Sequence, residues 1–311
     1  MQAAVYRAQG GPEVVEIAEI DQPVPGLSEI RIKVQAAALN PTDVSAWTGG
    51  FFPAPPEGSA YGLGWDVAGV VDAVGPGAPW KPGQPVIALS YGLPLRLHRA
   101  QAEYVVVPSH AIAAAPAGID PVHAATIPLN GLTAAQSVEL LGVQAGQTVL
   151  VTGAEGAVGG YAVQLAKRRG AVVISNDLSP DGEFATKVAG ADVHVPASQP
   201  LVEAVREVRP AGVDAVLDTV GLGQTVLGAI ADGGTFVTTR PTAVPGSERG
   251  IRVRLTQVGP DAAMLTTLSD LAAAADLALR VAETYPLREA SKAYARLKEG
   301  GLRGRVVLTV E

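Results

Sequence analysis

The stretch from residue 148 to residue 168 constrains this chain more than any other. Thr148–Thr152 is a short apolar and β-branched run of the kind a buried strand needs, and Val158–Arg168 has helical spacing. Between them stands Gly153-Ala154-Glu155-Gly156-Ala157-Val158-Gly159, which contains an Ala-x-Gly-x-x-Gly turn. The small residues have mechanical reasons. The chain must turn tightly at Ala154, the backbone must approach a diphosphate at Gly156, and helix must lie close on strand at Gly159. The free N–H groups and positive end of the helix that follows then face the phosphates, with Ala157 and Val158 among the expected cofactor-binding residues. Small residues alone would also serve a plain strand-to-helix turn. The context argues for a dinucleotide site, because a second strand, Ala171–Ser175, follows with Asp177 just past its end. A carboxylate at that distance accepts hydrogen bonds from the adenosine ribose and repels a 2′-phosphate, which favours NADH over NADPH. Asp177 has a second use open to it, capping the turn made by Ser179, Pro180 and Asp181.

The alternation continues. Helices are expected over Gly182–Ala189, Leu201–Val208 and Gln224–Ala231, between strands at Val193–Val195, Ala215–Asp218, Thr235–Thr238 and Ile251–Val258. That pace predicts an α/β domain with a doubly wound parallel sheet. The first third reads differently. Ala3–Tyr6, Glu29–Ala36, Val67–Val74, Val86–Leu89 and Ala102–Val107 are short Val/Ile/Ala runs punctuated by Pro and Gly, which predicts a mostly antiparallel, partly closed sheet. Pro121–Leu141 has helical spacing behind an Asp120 cap. Asp261–Leu277 and Leu287–Lys298 read as helices and Arg305–Val310 as a last strand. A chain of 311 residues suits two domains. We expect a dinucleotide-binding domain, residues 121–261, inserted into a catalytic domain made of residues 1–120 and 262–311.

Composition removes several function classes. The chain has no cysteine, which excludes disulfides, thiolate catalysis and sulfur-ligated metal sites. Its formal net charge is -7, with Lys and Arg scattered, so there is no electrostatic footprint for nucleic acid or an anionic membrane. Gly, Pro or charges interrupt every candidate membrane span, and the start of the chain has no leader pattern. A cytoplasmic location is the expectation.

A set of motifs in fixed order resembles one family. They are Ala38-Leu39-Asn40-Pro41-Thr42-Asp43-Val44, Gly64-Trp65-Asp66-Val67-Ala68-Gly69-Val70-Val71, Ala102-Glu103-Tyr104-Val105-Val106-Val107-Pro108 and Pro128-Leu129-Asn130-Gly131-Leu132-Thr133-Ala134. The glycine turn through Gln164-Leu165-Ala166-Lys167, then Asp218-Thr219-Val220-Gly221 and Gly304-Arg305-Val306-Val307-Leu308, complete the series. Singly weak, together they resemble the medium-chain dehydrogenase/reductase superfamily, in its zinc-free quinone oxidoreductase branch, which includes zeta-crystallin. The resemblance implies a GroES-like catalytic domain beside a Rossmann domain. Zinc-dependent members place Cys near Asn40 and Gly-His-Glu near Gly64, where this chain has Gly64-Trp65-Asp66. The four histidines lack zinc-ligand spacing, so no metal is expected. Without Lewis-acid polarisation, an activated C=C or a quinone is the better hydride acceptor.

The same resemblance implies a nicotinamide in the cleft between the domains. It places Asn40, Thr42 and Thr133 near its ring and ribose, Thr219 and Val220 on the adenosine side, and Thr238 and Thr239 at the carboxamide. Arg305 matches a position that relatives use on the pyrophosphate. Relatives that prefer NADPH carry a basic residue where this chain has Gly182, which agrees with the Asp177 argument, although the family's habit is NADPH. Where relatives often show a Tyr, this chain has Phe51-Phe52.

Reduction of an enone also needs a proton. Tyr61 is the first candidate donor and Tyr91, in the irregular segment Ser90–Gln101, the second; solvent can supply it too. Tyr61 reads equally as a packed aromatic. Asp43 could orient a water or the ribose, or simply cap a helix. Trp47, Phe51, Phe52 and Trp65, with Asn40, Asp43 and Asn130, suit an apolar pocket for a flat substrate, while Trp47 and Trp65 also read as core. The leading expectation is an NADH- or NADPH-dependent quinone or enone reductase acting on a small molecule as a homodimer, with Ile251–Val258 as contact. The alternatives are a pathway-specific enoyl reductase of secondary metabolism and a cofactor-binding protein with little catalysis.

Overall fold

The computed structural model describes residues 1–50, 52–92 and 95–311 and divides into two compact units. One is Asn130–Val258. The other combines Met1–Leu129 with Gly259–Glu311.

The second half of the alternating pattern forms an all-parallel sheet of six strands. Its order is Val193–Pro196, Val172–Asp177, Thr148–Thr152, Val213–Asp218, Ile230–Thr238, Arg252–Leu255. The chain therefore starts in the middle, winds outward on one side and returns to wind outward on the other, the doubly wound order of dinucleotide-binding folds. Leu150 lies opposite Ile174 on one neighbour and Val216 on the other. All three are buried, in a core with Val205, Val226, Leu227 and Phe236. Truncating one such side chain costs about 2–5 kcal/mol.

Three expected elements take another form here. Gly182–Ala189 is not an α-helix but a π-type turn over Phe184–Val188, with Ala189 N–H reaching the Phe184 carbonyl. Gly182 adopts φ +55°, and the Glu155 carboxylate accepts from Phe184 N at 3.1 Å, so the segment is pinned before it can wind regularly. Gln224–Ala231 becomes a 3₁₀ turn, Gly223–Ala229, whose first N–H is taken by the Asp218 carboxylate. The strand expected over Ile251–Val258 shortens to Arg252–Leu255.

The other unit carries two sheets. Val281–Pro286, Arg305–Thr309, Glu29–Ala38, Asp66–Val74, Pro85–Leu89 and Ile112–Ala114 run in that order, with Tyr104–Pro108 also beside Glu29–Ala38. All pairs are antiparallel except the first. A smaller sheet joins Val15–Glu19, Gln2–Tyr6 and Tyr61–Gly62. The helical stretch expected over Pro121–Leu141 splits at Pro128, which lacks an N–H, into Pro121–Ala124 and Pro128–Leu141. The compact boundary falls after Leu129 rather than at residue 120, because Thr126 and Leu129 both bond into the antiparallel unit. Among the described residues, no helix is long and apolar enough to cross a membrane.

Candidate active site

In the parallel-sheet unit, the expected cofactor residues other than Thr133, which lies on the helix Pro128–Leu141, stand at or just past the carboxyl ends of the strands. The turn after Thr148–Thr152 is held from three sides. Ala154 N donates to the Asn176 carbonyl at 3.1 Å, Glu155 N to Asp177 Oδ2 at 3.0 Å, and Gly156 N to the Gly153 carbonyl at 2.9 Å. A Cβ on Gly159 would overlap the Gly153 carbonyl, so the helix Ala157–Arg168 lies on the turn at a distance only glycine permits. Gly153 itself takes φ +64°, and a Cβ there would stand 2.5 Å from Thr219 Oγ1. Gly156 is the helix N-cap and brings no side-chain cap. The opening N–H groups of a helix have no acceptor within it, so this end is chemically suited to an anion.

Asp177 closes the Val172–Asp177 strand and is partly exposed. Its carboxylate accepts from Glu155 N and, at 2.7 Å, from Leu178 N, which ties the turn to the neighbouring strand. The Asp177 carboxylate thus braces the glycine loop, while the Ser179–Asp181 turn expected to be its second use is held by Asp181 Oδ1, which accepts from Ser179 Oγ at 2.9 Å and Glu183 N at 3.2 Å. Thr219 donates its hydroxyl to the Thr152 carbonyl at 2.7 Å, and Val220 is half exposed. Thr238 is buried, its hydroxyl accepting from Arg240 N at 3.1 Å. Sequence reasoning missed the organiser of this edge, Asp218. Its buried carboxylate accepts from Thr152 Oγ1, Gly221 N and Gly223 N, each at 2.9 Å.

The antiparallel unit builds a polar centre from side chains. Arg305–Thr309, Glu29–Ala38 and Asp66–Val74 are adjacent and alternate in direction, so Arg305, Asn40 and Asp66 meet at one end. Arg305 Nη2 donates to Asn40 Oδ1 at 2.8 Å, Asp66 Oδ2 at 2.9 Å and the Leu39 carbonyl at 2.8 Å, while Nη1 reaches the Thr126 carbonyl at 3.2 Å. Asn40 Nδ2 donates to Asp66 Oδ2 at 2.8 Å, and Leu129 N to Asp66 Oδ1 at 2.6 Å. Arg305 is 6% exposed and Asp66 0%. The resemblance gives Arg305 to the pyrophosphate; the structure gives its guanidinium to four protein oxygens. Among the described residues, no group of three His, Cys, Asp or Glu is placed to hold a metal ion.

Asp43 lies one turn into the helix Pro41–Trp47 and is buried. It accepts from Asn40 N at 2.9 Å and Gly64 N at 3.1 Å, yet burial pushes its pKa up to about 6, against these bonds and the nearby Arg99. Trp47 is fully buried and packs edge-on against Tyr294 at 5.9 Å, so its core reading holds. Tyr61 packs edge-on against Tyr6, also at 5.9 Å, and is partly buried. Tyr91 is 45% exposed. Phe52 and Trp65 are partly buried, and Phe51 lies outside the described residues. Thr42 and Thr133 are partly buried, and Asn130 is buried in the parallel-sheet unit.

A second cluster was missed from sequence. Arg99, Gln101, Tyr6 and Tyr294 are buried near Gly64, with Tyr294 Oη donating to Gln101 Oε1 at 2.9 Å. Burial raises the Tyr6 pKa to about 12, so the phenol stays neutral. One signal was available for the first network: Asp66 and Arg305 each open an apolar strand, and a charge entering a buried run needs a partner.

Comparison with known proteins agrees with this geometry. Residues 26–117 match the family model for the alcohol dehydrogenase GroES-like domain, and residues 189–308 that for zinc-binding dehydrogenases. A crystal structure of an NAD-dependent alcohol dehydrogenase is 34% identical, with 100% of both chains covered and a TM-score of 0.89. The quinone oxidoreductase of Pseudomonas aeruginosa is 38% identical over 57% of this chain and 52% of its own length. The 2-methylene-furan-3-one reductase of Solanum lycopersicum is 31% identical over 79% of this chain and 63% of its own. The match therefore spans less than two thirds of either of these two relatives. Motif order, the paired sheet types and the full-length likeness converge: the chain belongs to the medium-chain dehydrogenase/reductase superfamily, in its quinone oxidoreductase-like branch.

Proposed function

We propose that the protein is a zinc-independent oxidoreductase that uses NADH or NADPH, with NADH preferred, to reduce a small quinone or α,β-unsaturated carbonyl compound. The observation that carries the cofactor half is the turn at Ala154–Gly159, packed so closely that its outer surface is backbone and helix end. When bound there, the reduced nicotinamide cofactor supplies a hydride. Everything else falls to this chain. Asp177, already holding two backbone N–H groups, has lone pairs left for ribose hydroxyls and would repel a 2′-phosphate. Gly182 adds no positive charge to oppose it.

The metal-independent half is supported by the Asn40–Asp66–Arg305 network. The oxygens of Asn40 and Asp66, which stand near the places where the resemblance puts zinc ligands in the sequence, face a guanidinium at 2.8 and 2.9 Å, and a divalent cation on the same atoms would be repelled by it. The acceptor must delocalise its own developing charge, as a quinone or conjugated carbonyl does, and the two named relatives act on such compounds by name. Asn40, Asp43, Phe52 and Trp65 are the residues we assign to its surroundings. Tyr61 and then Tyr91 are the side chains we assign to proton delivery, with solvent as the alternative source. The protein is expected to form a homodimer through the free edge of Arg252–Leu255, which sedimentation as a monomer would exclude.

The test is NADH and NADPH oxidation with a panel of quinones and enones, using protein dialysed against a chelator. Turnover with undiminished rate after chelation is expected. Loss of turnover that returns only with zinc would overturn the metal-independent reading. Tight cofactor binding without turnover on any acceptor would make the chain a binding protein.

A further inference from the structure

Arg99 is 1% exposed and the largest fully buried side chain after Trp47. Among the described residues no carboxylate lies within ion-pair distance of it. A buried guanidinium with no directly paired carboxylate is costly, so its contacts should explain its presence. Nε donates to the Gly64 carbonyl at 3.1 Å and Nη1 to the Gly92 carbonyl at 2.9 Å. The guanidinium carbon lies 4.4 Å from the centre of the Trp65 ring, a cation–π distance, and Nη2 has no partner.

These contacts join two places. Gly64 adopts φ +100°, a conformation that needs glycine, and a Cβ there would meet Gln101 Cγ at 2.7 Å. Asp43 grips the same residue from its N–H while Arg99 grips it from its carbonyl, and Trp65 follows directly. On the other side, Ser90 N donates to the Trp65 carbonyl at 2.7 Å, and Arg96 Nη2 to the Tyr91 carbonyl at 3.0 Å. Arg99 thus fastens the turn bearing Trp65 to the segment bearing Tyr91. Burial lowers its pKa to about 10, with Asp43 opposing, so it remains a cation near neutral pH.

We propose that Arg99 is a positioning residue that fixes Trp65 and Ser90–Gly92 as two walls of the acceptor pocket and so determines which acceptors the enzyme accepts. The proposal rests on the reductase reading above, since that reading gives Trp65 and Tyr91 their place beside the acceptor. A neutral side chain could fill the volume, but only a planar fork bonds two carbonyls and covers an aromatic face at once.

The test compares wild type, Arg99→Met and Arg99→Lys. Calorimetric NADH affinity should stay within about twofold, because the change lies outside the cofactor turn. The ratio of kcat/KM for a bicyclic quinone to that for a small linear enone should move by about tenfold or more in Arg99→Met, mainly through KM. Arg99→Lys, which keeps the charge but not the fork, should fall between, and it carries the test alone if Arg99→Met does not fold. Tryptophan emission should shift in Arg99→Met, and the shift should vanish when Trp65→Phe is added. Equal loss on both acceptors with an unchanged ratio would overturn the proposal. If wild type reduces neither acceptor, the reductase reading has failed instead; the emission then reports on the clamp itself, and an unchanged spectrum overturns that too.

Discussion

The two units solve the same problem with different materials. The parallel-sheet unit shapes its cofactor edge mainly from backbone, with Ala154, Gly156 and Gly159 all in one stretch of six residues. The antiparallel unit shapes its polar centre from side chains at positions 40, 43, 66, 99 and 305. A backbone site needs small residues at fixed local spacing. A side-chain site needs charge partners that only the finished topology brings together. The first should therefore be sensitive to added volume and the second to lost charge.

The largest expected effect lies in the second. Arg305→Met leaves Asp66 buried without its cation and should lower stability by about 3–5 kcal/mol, measured by denaturant unfolding. Adding Asp66→Asn should recover part of the loss; no recovery would mean that the pair is not the unit that matters. Next is pH. The folded-state pKa of Asp43, about 6 against an ordinary 3.8, means that its proton is held more tightly in the folded state. The stabilisation from that proton is complete below about 3.8 and lost as pH rises through about 6, a change of about 3 kcal/mol. The stability difference between wild type and Asp43→Asn should follow that curve, and a flat difference would refute the buried carboxyl.

In the parallel-sheet unit, Gly159→Ala should cost about 1–3 kcal/mol through overpacking. It should also weaken NADH binding by about tenfold or more in calorimetry, because the moved turn is the proposed binding surface. Unchanged affinity would remove the diphosphate from this turn. The smallest effect concerns cofactor choice: Asp177→Ser should raise NADPH use relative to NADH by about tenfold, roughly 1.4 kcal/mol, with little change in stability. An unchanged ratio would mean that Asp177 serves only its turn.

The same contrast explains what could be read in advance. The strand, turn and helix of residues 148–168 were legible because buried strands and close packing leave a local pattern. The strands Val15–Glu19 and Val281–Pro286 were not, since their partly exposed residues lack a clear alternation. The segment over 182–189 misled because helical spacing is silent about the Glu155 carboxylate that reaches Phe184 from the preceding turn. Within the candidate site, Asn40, Asp43 and Trp65 were legible by motif. Arg99 was invisible: a basic residue in an irregular segment normally points to water, and only the approach of Gly64, Gly92 and Trp65 makes it internal. Tyr294 and Gln101 were hidden for a related reason, being 193 positions apart yet hydrogen-bonded.

The division of the chain also sets an order of events during synthesis. Residues 130–258 form one uninterrupted unit and can close as soon as they emerge. The other unit is split around them, and the guanidinium that joins Leu39, Asn40, Asp66 and Thr126 belongs to residue 305. Until that residue leaves the ribosome, the Asp66 carboxylate has no cation to meet. The half translated first is thus the half completed last.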